Sequence, residues 1–230
     1  MRLILSLCDY SGAWSRPYVG PGYKVIRVDP KHGGVDQGGR GMTAGAVGEF
    51  RLIPMDDGGW ALPMTVGALI PHLDELGPIW GVMAAPPCTD FANSGSRHWA
   101  RKDAEGLTDV SVQIVRDCLT VAERAQAWWV LEQPVGRIRW FVPELGKPNT
   151  YFDPCDFAGR ADDPEAEAYT KKTCLYGSFN PNLRRDRREP VRVCAQGSWV
   201  QKLGGSSERT KELRSKTPEG FARAFREANP

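Results

Sequence analysis

Residues 2–29 read RLILSLCDYSGAWSRPYVGPGYKVIRVD, and the order of apolar and turn-forming residues in them decides the fold class. Arg2–Cys8 is an apolar run of strand length that stops at a small, polar turn, DYSGAW. SRPYVGPG follows as a short predicted helix ending at Gly22, and Tyr23–Asp29 is a second strand, rich in β-branched residues and closing on an acid. Strand, turn, helix and strand in that order make a βαβ unit, whose strands lie parallel in one sheet.

The alternation continues along the chain. Pro63–Leu76 is a predicted helix and Ile79–Ala84 a strand; Thr108–Gln126 carries Val112, Val115, Leu119 and Ala122 on one helical face. Trp128–Leu131, Asn149–Asp153 and Thr173–Tyr176 are further predicted strands. The tail from Glu208 ends in a helix with Thr217 as N-cap and Pro218 at its first position. Residues 31–48, KHGGVDQGGRGMTAGAVG, are glycine-rich and read as a loop or insertion, and Thr89–Gly106 as a long polar loop. The expected fold is therefore doubly wound α/β, with ligands at the carboxyl ends of the strands. DYSGAW, Asp29, the Pro86-Pro87-Cys88 turn and Glu132 all fall at that edge.

A chain of 230 residues with 41% hydrophobic content suffices for one large domain with a real core. A net charge of +2 does not by itself argue for a polyanion partner, so any nucleic-acid footprint must come from local clustering. The opening apolar run is too short for a secretory segment and is interrupted by Asp9 and Gly12, and no run is long enough to span a bilayer. A cytoplasmic protein is expected. Six scattered cysteines without a CxxC, and three histidines not at ligand spacing, predict reduced thiols and no metal site.

One cysteine stands apart. Ala84–Phe91 reads AAPPCTDF, so Cys88 follows two prolines at the mouth of a buried strand, where a rigid turn presents a thiol to a cleft. That placement suggests a nucleophile. Ser11 and Gly12 let backbone approach a ligand, and Asp29 at the end of the second strand is placed to accept hydrogen bonds from ribose hydroxyls. An ordinary tight turn beside a surface acid gives the same pattern. Glu132, in LEQPVGR, is either a carboxyl that hydrogen-bonds a ring nitrogen in a closed pocket or a plain surface carboxylate.

Taken in order, LSLCDYSGAWSRPYVGPGYKVIRVD, AAPPCTDFANSG, LEQPVGR, TKKTCLYGSF and RSKTPEGFARAFREAN resemble the motifs of DNA cytosine-5 methyltransferases, most closely the small phage-type members. The likeness runs from Leu3 to Asn229, with gaps at the glycine-rich loop and at 180–207. It implies a Rossmann-like methyltransferase fold, mostly parallel sheet with helices on both faces, using S-adenosylmethionine and releasing S-adenosylhomocysteine. It further implies that Cys88 adds to cytosine C6, that Glu132 holds the ring at N3 and its amino group, and that the target base is flipped out of a DNA duplex.

By the same resemblance Tyr10, Ser11, Gly12 and Trp14 contact the cofactor in the first turn, Asp29 its ribose, and Thr217 its methionine end. Glu49 is the candidate third acid, with Asp56 and Asp57 as competitors. Two positions depart from the family pattern: Tyr10 stands where a glycine is usual, and Tyr169-Thr170-Lys171-Lys172 replaces a Gln-x-Arg-x-Arg stretch. Lys172 is the expected stand-in there, keeping charge without the bidentate geometry of arginine.

For DNA, the loop after Cys88 offers Ser94, Arg97, His98, Arg101 and Lys102, and the run LRRDRREPVR offers Arg184, Arg185, Arg187 and Arg188 for phosphates. The expected organisation is a catalytic core over 1–179, a minimal target-recognition element over 180–207, and a C-terminal helix over 208–230 that returns to the core. The expected state is a monomer in a bacterial or phage-infected cell. Two rival readings stay open: the same chemistry on a nucleotide, on RNA or with a modified donor, and a non-catalytic DNA-binding accessory on the same scaffold.

Overall fold

A computed structural model of the chain describes residues 1–33, 52–194, 199–203 and 207–230. Its strands are β1 (Arg2–Leu7), β2 (Tyr23–Val28), β3 (Ile53–Pro54), β4 (Trp60–Leu62), β5 (Ile79–Ala84), β6 (Trp128–Pro134), β7 (Thr150–Phe152) and β8 (Thr173–Ser178). The α-helices are α1 (Val66–Leu69), α2 (Trp99–Ala104), α3 (Leu107–Ala125), α4 (Ile138–Phe141), α5 (Pro164–Glu167), α6 (Glu208–Ser215) and α7 (Glu219–Ala228).

The strands form one sheet in the order β3-β4-β2-β1-β5-β6-β8-β7. β4, β2, β1, β5 and β6 run parallel, whereas β3, β8 and β7 pair antiparallel with their neighbours. This is the mostly parallel α/β architecture anticipated from the alternation, and the Rossmann-like sheet that the resemblance implied. The chain leaves β1 toward β2 and β4, then returns to place β5 and β6 on the other side, so the order reverses between β1 and β5. In such sheets the crevice at that reversal, beyond the carboxyl ends of the strands, is the ligand site.

Strand alternation builds two cores from the same segments. Leu3, Leu5, Leu7, Ile26, Val28, Val82, Ala84 and Leu131 pack with Val112, Val115, Cys118 and Val121 of α3. Ile4, Val25, Met83 and Val130 point to the other face, where Trp14, Tyr18, Phe152, Phe157, Phe221 and Phe225 meet. Successive side chains on a strand point to opposite faces, which is why a sheet covered on both sides needs nearly continuous apolar strands. α7 closes the second core: the Phe221 ring stacks on Phe152 at 4.0 Å between centroids and meets Phe157 edge-on.

Four local expectations are revised. SRPYVGPG forms only a single 3₁₀ turn, Arg16–Tyr18. The helix expected over 63–76 is α from Val66 to Leu69, started by Thr65 Oγ1 accepting the Ala68 N–H at 3.2 Å, and then 3₁₀ from Ile70 to Leu76. Pro71 removes a donor and crowds the preceding turn, which ends the α ladder there. Thr89–Gly106, read as a loop, contains a 3₁₀ helix (Asn93–His98) and α2. The C-terminal helix starts at Glu219 with Pro218 extended, so Thr217 is buried beside the start and is not its cap. The Glu167 carboxylate takes that role, accepting the N–H groups of Glu219 and Gly220. The glycine-rich residues 34–48 and Glu49 lie outside the described residues.

Because Phe221 is fully buried in an aromatic cluster, Phe221→Ala should cost about 3–5 kcal/mol of unfolding free energy. Urea denaturation measures this, and a loss below about 1 kcal/mol would place α7 outside the cooperative core.

Candidate active site

The turn that carries Cys88 is held from both neighbouring strands. β5 hands the chain to Ala85, whose N–H bonds to the Leu7 carbonyl of β1 at 3.0 Å. Pro86 and Pro87 then fix two φ angles and offer no amide donors. The buried Gln133 of β6 donates from Nε2 to the Pro86 carbonyl at 2.6 Å. Beyond the thiol, the N–H groups of Phe91 and Ala92 both bond to the Cys88 carbonyl, at 3.1 and 2.9 Å.

The continuations of the two strands are stitched together. Ala92 and Gly136 form a bridge, Asn93 N–H bonds to the Val135 carbonyl at 3.2 Å, and Arg137 N–H to the Phe91 carbonyl at 2.9 Å. The approach is so close that a Cβ on Gly136 would lie 1.9 Å from the Phe91 carbonyl oxygen. Only glycine fits the bridge.

Glu132 lies within β6, opposite Leu175 of β8 and next to Gln133. Alternation sends the two side chains to opposite faces. The buried cation facing Glu132 is Lys171, with Nζ 3.9 Å from Oε1 and both side chains largely enclosed. The expected stand-in, Lys172, points outward, with Nζ 5.3 Å from the centre of the Tyr151 ring. Tyr169-Thr170-Lys171-Lys172 runs extended into β8, so Tyr169 and Lys171 share the inward side and Lys172 takes the other. Period two decides between the lysines, and the strand frame needed to apply it is not legible until β8 is placed.

Electrostatics join these groups. Burial pushes the Glu132 carboxyl up, with Lys171 opposing. Burial likewise pushes the Cys88 thiol up; Lys171 pulls it down, while Glu132 and Asp90 push it further up. Cys88 is only partly buried as a residue, but its thiol is packed among protein atoms that cannot solvate a thiolate. One cation thus acts on both the thiol and the acid.

The first turn is built around Asp9. Its buried Oδ2 accepts from Ser6 Oγ at 2.8 Å and Ser15 Oγ at 2.7 Å, closing the chain after β1. Arg27, 2% exposed on β2, donates from Nε to Ser15 Oγ and from both terminal nitrogens to Asp57, at 3.1 and 2.6 Å. Burial alone would raise Asp57, yet these bonds and the charge of Arg27 hold its carboxyl below the usual range. Gly12 has φ +66°, and a Cβ there would lie 2.5 Å from the Arg27 guanidinium carbon. The Asp57 that competed for a cofactor role is therefore the anchor of a structural ion pair, and removing one partner of such a pair costs about 3–5 kcal/mol.

Around this frame the remaining first-turn residues divide. Ser11 and Tyr10 are exposed at the crevice, with Tyr10 5.3 Å from the His32 ring. Asp29 sits at the end of β2, its Oδ1 accepting the Lys31 N–H at 2.9 Å, and burial raises its carboxyl. Trp14 is 1% exposed and packs against Phe221 and Phe225, so the core takes it away from the crevice. His32, not singled out in the sequence, lies beside Asp29 with a buried Nε2 that has no hydrogen-bond partner among the described residues. Burial keeps its imidazole below the ordinary histidine range. Its signal was position alone, three residues after the acid that closes β2.

The basic residues expected on DNA also divide. Lys102 turns inward, 2.5 Å from Asp90 Oδ1, and Arg101 pairs with Glu105 at 2.5 Å. Asp90 is buried and also takes Ser111 Oγ, so Lys102 compensates a charge that water cannot reach. Ser94, Arg97 and His98 stay exposed. Arg185 and Arg187 both pair with the buried Asp156, at 3.3 and 2.7 Å, and tie their segment to the core; Arg184 and Arg188 remain at the surface.

No protein-family model matches the chain, and no curated protein does. Among solved structures, it is similar to a tryptophan-to-alanine mutant of the 16S rRNA (adenine(1408)-N(1))-methyltransferase from Catenulisporales acidiphilia, at 12% identity and TM-score 0.35, covering 79% of this chain and 87% of that one. The same mutant with cosubstrate SAM aligns at 14% identity and TM-score 0.32, covering 82% and 87%. Overlap this loose says nothing of substrate.

The shared cation gives a signed expectation. Alkylation of Cys88 by iodoacetamide should rise with pH only above the range of an ordinary thiol. In Lys171→Met the rise should move to higher pH, and in Glu132→Gln to lower pH. Peptide mass spectrometry of the labelled Cys88 measures it; unmoved or oppositely moved profiles would separate Lys171 and Glu132 from the thiol.

Proposed function

We propose that the chain is an S-adenosylmethionine-dependent DNA cytosine-5 methyltransferase. The observation that carries this reading is the turn that holds Cys88, tied by Gln133 to the strand that carries Glu132, whose enclosed carboxyl faces Lys171 at the carboxyl edge of the sheet. The ordered motifs around both residues support it.

The crevice beside β1 and β2 suits a nucleoside-containing donor. Asp29 keeps one carboxylate oxygen free of partners among the described residues, and the buried Nε2 of His32 has none. Asp29, His32 and Ser11 would hold that donor. When bound, S-adenosylmethionine supplies an electrophilic methyl group.

Cytosine C5 is a weak nucleophile, and the chain's residues answer that weakness. Cys88 Sγ, as thiolate, forms a bond to C6, and the ring's electron density moves toward C5 and N3. Glu132, whose burial favours the protonated form, donates to N3 and stabilises the charge gathering there. Lys171 offsets the cost of a thiolate in this enclosed place. After C5 has gained its methyl, loss of the C5 proton and departure of Sγ from C6 restore the aromatic ring. Cys88 departs as the thiolate, the C5 proton passes to solvent and N3 returns its proton to Glu132, so both side chains are regenerated.

Incubation with S-adenosylmethionine and cytosine-containing DNA, followed by digestion and mass analysis, should yield 5-methyl-2′-deoxycytidine that disappears in Cys88→Ser. A methylated adenine, or no modified base despite donor binding, would contradict the proposal. Glu132→Gln should lose most of the activity, and its stability relative to the wild type should depend on pH. A carboxyl whose pKa is raised on folding opposes folding once pH exceeds its unfolded value of about 4.3. The stability of Glu132→Gln relative to the wild type should therefore rise as pH rises through the ordinary glutamate range, which thermal denaturation at acid and neutral pH can test.

A further inference from the structure

Of the eight tryptophans, Trp140 on α4 is 76% exposed. Trp80, at 41%, is accounted for at the opposite edge of the sheet by Arg2 over its ring and the Pro230 carbonyl on its indole N–H. Trp140 is instead held from one side: the Trp99 ring of α2 meets it edge-on, with 6.2 Å between centroids and planes at 73°. Trp99 is itself fixed by the buried guanidinium of Arg137, 4.5 Å from its ring centre, and Arg137 grips Asp103 with two bonds of 2.7 Å. The exposed indole is thus oriented in advance, with a face left to solvent.

Its place in the fold gives it a use. Trp99 follows Cys88 and Trp140 follows Glu132, on the two segments stitched by the Ala92–Gly136 bridge. Arg97 and His98 precede Trp99, Arg139 precedes Trp140, and all three are exposed. Neither Arg97 nor Arg139 has an ion pair among the described residues. An aromatic face with unneutralised cations beside it is how single-stranded nucleic acid is held, bases on the ring and phosphates on the charges. A duplex offers no base face to such a ring. The backbone of the arginine run is tied along the core, the Asp186 carbonyl accepting Gly159 N–H and the N–H groups of Asp186 and Arg188 bonding to Asp156 and Cys155, and its exposed guanidiniums offer charge for phosphates but no ring for a base.

We infer that Trp140 is a stacking platform for an unpaired base beside the target, so that the preferred substrate is a single-stranded stretch of DNA. This rests on the nucleic-acid reading of the site, but binding tests it without chemistry. Fluorescence anisotropy with labelled oligodeoxythymidine, which has no cytosine, and with the same oligomer paired to oligodeoxyadenosine needs no methyl donor. The wild type should bind the single strand more tightly than the duplex. Trp140→Ala should weaken single-strand binding about tenfold, while Trp140→Phe retains most of it. Equal affinity of wild type and Trp140→Ala, or a wild-type preference for the duplex, would overturn the inference. If 5-methylcytosine forms while Trp140→Ala binds like the wild type, the stacking platform falls and the reaction stands. If no base is modified but the Trp140→Ala loss is seen, the surface stands without the reaction.

Discussion

The hydrogen bond from Gln133 Nε2 to the Pro86 carbonyl, 2.6 Å long and buried, is the constraint on which the site depends. Parallel pairing of β5 with β6 aligns Ala84 with Leu131, but pairing stops where the prolines begin, because they donate nothing to a ladder. The side-chain amide continues the sheet by one bond past that point. It fixes the turn that carries Cys88 against the strand that carries Glu132. The Ala92–Gly136 bridge repeats the attachment on the far side of the thiol. Loss of the Gln133 amide would leave a buried carbonyl unpaired, at about 1–3 kcal/mol, and would free the turn from its neighbour.

Within that frame the ionisation of Cys88 and Glu132 is governed by competition among enclosed charges. Burial disfavours ionised Cys88 and ionised Glu132, and the Glu132 charge further disfavours a thiolate. Lys171 opposes both effects from a side chain that is itself enclosed. Such an arrangement contributes little to stability, since desolvating the three groups offsets what their attraction returns. The cost is carried by the cores on either face of the sheet and by Asp9 and the Arg27–Asp57 pair, which hold the first turn.

The parts of this fold that could be read from residue order are those governed by period and by punctuation. Apolar β1, β2 and β5, the helical stripe of α3 and the proline turn before Cys88 are written locally. What escaped depends on partners distant in the chain. Lys102 looked like a free cation because Asp90 and its burial beneath Ser111 are invisible in a polar stretch. Trp14 looked like a cofactor contact because its turn was recognisable, whereas the aromatic residues of α7 that enclose it lie at the other end of the chain. Lys171 and Lys172 are chemically equal; only the register of β8 sends one to Glu132 and the other to Tyr151. Gln133 sat in plain view beside Glu132, and its role follows only once β5 and β6 are neighbours.

The most direct test is covalent trapping on DNA that carries 5-fluorocytosine, in the presence of S-adenosylmethionine. Fluorine at C5 cannot leave as a proton does, so a thiolate that has added to C6 stays attached after the methyl has been received. The expected result is a denaturation-resistant protein–DNA adduct, dependent on the methyl donor and mapped by peptide mass to Cys88. An adduct mapped to another residue, or none at all under conditions where DNA and donor both bind, would contradict covalent catalysis by this thiol.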